Sequence, residues 1–223
     1  MTNKHIRNRV ACSTRPDIAF AVKELARVVS QPLPSHWKAA QRVIRYLLLS
    51  PDSSITYTIP EEKSDKYDLE VYSDADFAGE ADTRKSTSGR LMFLFGNLIL
   101  WKAKSQSGIA LSSCESEYVA MSEAVKDLLY AKQLLAEFGY KNLTAVVYGD
   151  NESAIKIARS EAAMARTRHV DIKLKFLMHQ AIDQGIEFKW ISTHDMLADM
   201  MTKGLSAPVL NRHKSKVMSR TVA

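Results

Sequence analysis

The stretch VYSDADFAG, residues 71–79, has the pattern of a β-strand that finishes in two carboxylates. Val71 and Tyr72 favour a strand, whereas aspartate is a poor strand residue. Asp74 and Asp76 nevertheless stand beside small residues, where a buried strand should end. A charge at this position needs a reason, either in the turn that follows or in a functional site.

A second stretch, VVYGDN (146–151), repeats the order of apolar residues, tyrosine, a small residue and aspartate. If the two strands are neighbours in a sheet, Asp74 and Asp150 lie side by side. Open α/β sheets place their sites at such a point. A lone aspartate at a strand end is most often a helix N-cap or a turn residue, and this alternative stays open.

The region 113–138 has the pattern of a long helix. Ser112 and Glu115 match a capping box, which gives Glu115 a structural role at the helix start. Glu117 instead falls on the centre line of the apolar face. That face is formed by Met121, Ala124, Leu128, Ala131 and Leu135. A carboxylate directed at the sheet is costly unless it is compensated, so Glu117 either pairs with a lysine or arginine or belongs to a site.

A fourth acid, Asp199, lies near the start of the last short helical pattern, 194–204. Four converging carboxylates repel each other, and divalent cations would remove the conflict. Hard oxygen ligands with open geometry favour Mg²⁺ or Mn²⁺. A pair of such ions about 4 Å apart promotes in-line attack on a phosphodiester. The candidate ligands for two ions are Asp74, Glu117, Asp150 and Asp199.

The remaining pattern predicts the fold class. Strand patterns occur at 69–75, 88–96, 97–103, 144–150 and 186–192, and helix patterns at 113–138, after Asn151, at 166–184 and at 194–204. The first three strands predict an antiparallel meander, with FGN (95–97) as a tight turn. The later β-α units predict right-handed crossovers and parallel strands. We therefore expect an α/β fold: a mixed five-stranded sheet, three strands antiparallel and two parallel, with helices on both faces.

Two amphipathic helices are expected before this sheet, at 14–31 and 35–49. Thr14 is the expected cap of the first helix, with Pro16 in its first turn. The expected apolar stripes are Ile18, Val22, Leu25 and Val29 on the first helix, and Trp37, Ala40, Ile44 and Leu47 on the second. The polar stretch within 51–68 marks a domain boundary.

The second of these helices also carries Lys38, Arg42 and Arg45 at helical spacing, here called the basic stripe. Such a stripe can follow the phosphates of a nucleic acid. The alternative is an ordinary solvated face.

Bulk composition fits a soluble globular protein of 223 residues, 46% hydrophobic and 25% charged. No apolar run could span a bilayer, and no secretory signal is recognisable at the N-terminus. Two distant cysteines favour a reducing compartment. The net charge of +6 divides into +7 over residues 1–50, −5 over 51–205 and +4 over 206–223. An acidic centre between basic flanks suits a metal site that attracts polyanions, although the asymmetry could also be chance or a basic disordered tail.

Taken together, the motifs resemble the C-terminal part of copia-type retrotransposon Pol polyproteins. The matching runs include YSDADFAGEADTRKSTSG (72–89), ALSSCESEYVAMSEA (110–124), VVYGDNESAIKIA (146–158), RTRHVDI (166–172) and LADMMTKGL (197–205). The resemblance extends from about residue 9 to 205. It implies a ribonuclease H-like domain at 68–205 and a helical connection segment at 1–67 from the end of a reverse transcriptase. The charge balance marks residues 206–223 as a basic tail.

The resemblance further implies metal-dependent cleavage of the RNA strand of an RNA–DNA hybrid, with two Mg²⁺ or Mn²⁺ ions. The family's four catalytic acids fall on Asp74, Glu117, Asp150 and Asp199. Of the neighbouring motif residues, Asp76 is expected in a supporting or turn role and Lys85 in a hairpin that contacts nucleic acid. His194 could help product release, and His169 and Asp171 are expected to be structural.

Three functional classes follow. A nuclease is the first. The second is a catalytically silent nucleic-acid-binding or interaction module from the same kind of element. The third, a transposase or integrase, is disfavoured because those enzymes end their acid set with glutamate. No polymerase motif is present, so DNA synthesis is not expected, and the chain resembles a fragment of a longer polyprotein. We expect a cytoplasmic or nuclear location and no membrane association.

Overall fold

The computed structural model describes residues 10–59, 67–160 and 172–218. The strands are β1 Leu69–Asp76, β2 Thr87–Leu94, β3 Asn97–Ser105, β4 Ala145–Gly149 and β5 Ile186–Trp190. The helices are α1 Ala19–Arg27, α2 Pro34–Leu48, α3 Ser113–Glu137, α4 Glu152–Arg159, α5 Ile172–Asp183, α6 Asp199–Thr202 and α7 Ala207–Met218. Short 3₁₀ turns occur at Pro16–Ile18 and Thr193–Asp195. None of the helices in these ranges combines the length and apolar character that crossing a bilayer requires.

The five strands form one sheet in the order β3-β2-β1-β4-β5. β2 is antiparallel to both β1 and β3, whereas β4 is parallel to both β1 and β5. The predicted fold class is therefore confirmed. The turn between β2 and β3 contains Phe95 and Gly96, both at positive φ. This backbone twist matches the twist of the paired strands, as the FGN pattern predicts.

Two apolar cores cover the two faces of the sheet. On one face, α3, α4 and α5 pack over side chains of β1 and β4 such as Val71 and Val147. On the other face, α1, α6 and α7 pack over Tyr72, Leu91 and Phe93. Alternate residues of β1 therefore face different helices, because side chains alternate across a strand. With both faces covered, the strand ends are where polar groups can reach solvent.

The start of α3 largely follows the predicted capping box. Ser112 Oγ accepts the N–H of Glu115 at 3.1 Å, as expected. The return bond differs by one residue, because Glu115 Oε2 accepts the N–H of Leu111 at 2.7 Å and not that of Ser112. Glu115 is thus occupied at the helix start, and Glu117 is free to face the sheet.

The first expected helix is shorter than its pattern. It is a 3₁₀ turn followed by α1, and Val29, beyond its end, is 45% exposed. The expected Thr14 cap is wrong: its hydroxyl donates to the carbonyl of Val10 instead. The start is held by Arg15, whose guanidinium pairs with the buried carboxylate of Asp17 at 2.9 Å. Tyr46 of α2 donates to the same carboxylate at 2.7 Å.

The predicted apolar face of α2 is right for Ala40 and Leu47 and wrong for Trp37 and Ile44. Ala40 and Val43 are buried, whereas Trp37 is 56% and Ile44 39% exposed. Val43 belongs to a small third core with Ile18, Val22 and Ala11. α2 packs on one side against α1 and the turn at 16–18, and the residues that point away from these two elements stay exposed. The spacing of apolar residues in the sequence does not show on which side of α2 its neighbours lie.

The basic C-terminal segment contains α7, which has buried residues. Val217 and Met218 enter the second core, and the carbonyl of Met218 accepts the N–H of Thr56 at 3.0 Å. The boundaries 1–67, 68–205 and 206–223 stay a prediction. His169 and Asp171 lie outside the described residues.

A buried ionic cluster holds α1 against the sheet. Lys23 Nζ of α1 lies 3.0 Å from Glu80 Oε1 and donates to Thr87 of β2 at 2.7 Å. Glu80 is 3% exposed and also accepts hydrogen bonds from Ser105 and Thr83. Burial opposes its charge, but these hydrogen bonds and Lys23 lower the pKa of Glu80 to about 2.

Replacing Glu80 by glutamine should reduce the free energy of unfolding by about 2 kcal/mol at pH 7, because the buried Lys23 keeps only the partly exposed Glu24 as its counter-charge. The loss should shrink as the pH falls from about 4.5 toward 2, since a lowered carboxyl pKa stabilises only while the group is ionised. Urea denaturation measures both effects. Glu152→Gln on the exposed face of α4 is the matched control and should change stability by less than about 0.5 kcal/mol.

Candidate active site

Two neighbouring parallel strands deliver the first two acids. Tyr72 of β1 is in register with Tyr148 of β4, and each tyrosine is followed two residues later by an aspartate. Asp74 is 1% exposed, whereas Asp150 is half-buried. The predicted proximity is confirmed. Together with Asp199 they offer carboxylate oxygens that all lie within 4.8 Å of one another, here called the acid cluster.

Asp199 reaches the acid cluster because α6 lies directly on β2. Gly89 of β2 is in register with Asp74 of β1. A Cβ on Gly89 would lie 2.6 Å from side-chain atoms of Met201 and Thr202, and 2.9 Å from the carbonyl of Ala198. Glycine is therefore required for this close approach. Because position 89 has no side chain, α6 can lie close enough to the sheet for Asp199 to reach the end of β1.

A lysine and a threonine contact the acid cluster. Lys203 Nζ lies 2.9 Å from Asp199 Oδ1 and 3.4 Å from both carboxylate oxygens of Asp74. The hydroxyl of Thr202 donates to Asp74 Oδ2. Burial alone would lower the pKa of Lys203, but the charges of Asp74 and Asp199 raise it above its ordinary value. Asp150 is held separately, by a hydrogen bond of 2.9 Å from the hydroxyl of Thr193.

Glu117 stands beside the acid cluster without belonging to it. Its side chain is buried at the first turns of α3, and it accepts the backbone N–H of Ala75. Its Oε2 is buried without a hydrogen-bond partner. Among the described residues no lysine or arginine lies within ion-pair distance of it, so the alternative of a structural ion pair finds no partner. Burial, and then the charges of Asp74 and Asp150, raise the pKa of Glu117 to about 9.

A buried amide joins the elements around Glu117. Gln106 Nε2 donates to Ser88 Oγ and to the carbonyl of Ser116, both at 2.9 Å. Ser88 is in register with Ala75, whose N–H reaches Glu117. The two hydrogen bonds of Gln106 therefore tie β2 to Ser116, the residue preceding Glu117. They fix the first turn of α3 relative to β2.

Other residues singled out in the sequence lie outside the acid cluster. Asp76 is half-buried over the following turn, where a Cβ at Gly79 would come within 1.9 Å of its Oδ2. This position agrees with the expected turn or supporting role. His194 is 69% exposed and lies between Arg212 and Asp195, at 2.5 and 3.5 Å from its ring nitrogens. Its neighbour Thr193, not His194 itself, contacts Asp150.

The predicted nucleic-acid contacts are on the surface. Lys38, Arg42 and Arg45 are exposed on α2, and no ion pair joins them to any acid in the described ranges. Lys85 is half-buried in the loop before β2, where its backbone carbonyl accepts the N–H of Glu80. These residues remain predicted contacts.

The donor set fits a divalent metal. Three carboxylates converge within 4.8 Å, and a fourth carries an unpartnered buried oxygen. Carboxylates are the hard oxygen ligands that Mg²⁺ and Mn²⁺ prefer. A cation would also relieve the raised pKa of Asp74, which burial and the neighbouring acids bring to about 7 despite the opposing charge of Lys203.

Glu117→Gln should stabilise the metal-free protein in a pH-dependent way. The folded-state pKa of about 9 lies above the ordinary value of 4.5, so the wild type loses stability as the pH rises between these values. The variant has no such loss. In EDTA its gain in free energy of unfolding should be small at pH 4.5 and on the order of 1–3 kcal/mol at pH 8.

Urea denaturation at the two pH values measures this gain. Glu115→Gln on the same helix is the matched control and should show no such pH trend. Destabilisation by Glu117→Gln at both pH values would instead identify Glu117 as a compensated structural residue.

Comparison with known proteins gives several relatives among Pol polyproteins. The retrovirus-related Pol polyprotein from transposon TNT 1-94 of Nicotiana tabacum is 37% identical over 190 residues, 85% of this chain and 14% of that polyprotein. The one from transposon RE2 of Arabidopsis thaliana is 34% identical over 205 residues, 92% of this chain and 14% of that polyprotein. The chain thus spans about one seventh of the length of these relatives. No protein-family model matches it.

Among solved structures, a ribonuclease H1 isolated from compost by a metagenomic approach is similar at a TM-score of 0.45 and 14% identity, covering 66% of this chain and 98% of that one. This likeness is distant, and the family follows from the sequence matches. The acids at the strand ends lie within the part of the chain that those matches cover. Over 85–92% of its length, the chain is thus a homologue of copia-type retrovirus-related Pol polyproteins.

Proposed function

We propose that the chain contains a metal-dependent endoribonuclease that cleaves the RNA strand of RNA–DNA hybrids. The observation that carries the proposal is the acid cluster, with three buried or half-buried carboxylates within 4.8 Å of one another and a fourth beside them. Such a concentration of negative charge is unfavourable for a merely structural site. Membership in the Pol polyprotein family supports the choice of a nuclease over other metal-dependent enzymes.

Asp74, Asp150 and Asp199 would hold the metal, and Glu117 would complete the set with its unpartnered oxygen. When bound, two divalent ions would lower the pKa of a bound water and stabilise the leaving 3′-oxygen. The chain itself orients the ligands. Thr202 fixes one oxygen of Asp74, and Thr193 fixes one oxygen of Asp150.

The proposed substrate follows from the family resemblance and from the charge of the chain. A hybrid is bound through its backbone and 2′-hydroxyls, by shape more than by sequence. The acid cluster repels phosphates when no metal is present, so basic residues elsewhere must supply attraction. The exposed basic stripe on α2 is the candidate surface in the N-terminal segment.

Purified protein with Mg²⁺ or Mn²⁺ should cleave the RNA strand of a labelled hybrid and leave duplex DNA intact. Asp74→Asn and Asp150→Asn should each reduce the rate by more than the roughly 100-fold that changes in outer-shell residues cost. Gel analysis of the products measures the rate, and circular dichroism checks folding. Asp183→Asn, on the exposed end of α5, is the matched control and should retain full activity.

The second candidate function is a catalytically silent nucleic-acid-binding module. The exposed basic stripe favours it, because this surface does not depend on the acid cluster. Wild-type protein that binds hybrids but cuts them with neither metal would contradict the nuclease and support this module.

Replacing Lys38, Arg42 and Arg45 together by glutamine should weaken hybrid binding under either function. Each lost phosphate contact should also reduce the slope of log affinity against log salt by about 0.9, so three contacts give a drop of roughly 2–3. Fluorescence anisotropy at several salt concentrations measures both. Glutamines at Lys126, Lys141 and Lys156, in the α3 to α4 region, remove the same charge as a control. Equal losses in the two variants would show that only net charge matters.

A further inference from the structure

Among the described residues, Lys203 is the cationic side chain that contacts two members of the acid cluster. It directly follows α6, one helical turn after Asp199, and its ammonium lies 2.9 Å from that carboxylate. The same ammonium is 3.4 Å from both oxygens of Asp74. It therefore occupies the space between two carboxylates that come from opposite ends of the ribonuclease H-like region.

The ammonium and a divalent metal would compete for the same oxygens. Lys203 uses Oδ1 of Asp199 and approaches both oxygens of Asp74, while the hydroxyl of Thr202 occupies Oδ2 of Asp74. A metal bound by these carboxylates would lie at ion-pair distance from the ammonium, and like charges at that distance repel strongly in a partly buried site. The two cations thus exclude each other.

The ammonium of Lys203 can move from the acid cluster to solvent. The Lys203 side chain is 35% exposed, unlike that of Asp74 at 1%. A lysine stem is flexible, and its charge is readily hydrated in water. Departure toward solvent therefore requires no movement of α6, which stays packed on Gly89.

We propose that Lys203 is an internal counter-ion that occupies the acid cluster when no metal is bound and must leave when a metal enters. It thereby weakens metal affinity and preserves the arrangement of Asp74 and Asp199 in the metal-free protein. The inference rests on the proposed metal site and deepens it. Lys203 acts through the metal ligands, so it is a positioning residue.

The first test measures Mn²⁺ binding to the full chain by isothermal titration calorimetry. Lys203→Met should bind Mn²⁺ about tenfold or more tightly than wild type, because a contacting charge shifts such equilibria by one or more orders of magnitude. Its melting temperature in EDTA should fall, because the acids lose their counter-charge. Lys216→Met is the matched control: it removes a lysine 3.3 Å from exposed Asp195 and should change neither quantity.

The second test uses wild-type protein, so it does not depend on whether the variant folds. Brief acetylation followed by mass spectrometry should label Lys203 slowly in EDTA and several-fold faster with saturating Mn²⁺. Lys216 should be labelled equally in both conditions.

The outcomes separate the inference from the proposed function. Equal Mn²⁺ affinity of Lys203→Met and wild type, or unchanged labelling of Lys203 on Mn²⁺ binding, overturns the counter-ion role while leaving the nuclease proposal intact. If Lys203→Met has a higher KM for the hybrid but the same Mn²⁺ affinity as wild type, Lys203 contacts the substrate instead. Absence of Mn²⁺ binding in all variants overturns the metal site and the inference together.

Discussion

The dominant constraint on this molecule is the burial of like charges at one edge of a sheet. Three carboxylates share a space of less than 5 Å, and Asp74 is almost completely hidden from water. The interior penalises an ionised carboxylate, and each neighbour adds repulsion. In the metal-free chain the charge is reduced by the ammonium of Lys203 and by hydroxyl hydrogen bonds. Much of the surrounding structure serves to hold these groups together against their repulsion.

The fold meets this constraint by joining segments that are far apart along the chain. Parallel pairing of β1 with β4 aligns the ends that carry Asp74 and Asp150. Gln106 ties the start of α3, which carries Glu117, to β2, and the absence of a side chain at Gly89 lets α6 lie on the sheet. The two apolar cores on the faces of the sheet stabilise the fold and offset the repulsion among the buried carboxylates. The acid cluster is thus an outcome of packing on both faces of the sheet.

Much of the fold and of the acid cluster could be predicted from the sequence, because the spacing of apolar residues indicates which side chains are buried. The five strands, the sheet type and the inward position of Glu117 follow from spacing alone, and the proximity of Asp74 to Asp150 follows from two similar strand ends. The contacts of Gly89 and Gln106 could not be predicted, since they depend on which elements meet in three dimensions. Lys203 carried a readable signal, four residues after Asp199, that spacing rules for helices would have shown. The apolar face of α2 could be predicted only in part, because the positions of α1 and of the turn at 16–18 decide which of its apolar residues are covered.

The approach of α6 to Gly89 makes the site a late product of folding. A helix of four residues is far too short to be stable by itself, so α6 exists only where it lies on β2. Before that contact forms, a chain with a complete sheet still lacks one of the three clustered acids. During synthesis, residues 199–202 emerge after all five strands, so the acid cluster is incomplete until α6 has docked on β2. Because Gly89 has only a hydrogen in place of a side chain, α6 can dock on β2, and the acid cluster becomes complete only when this docking has occurred.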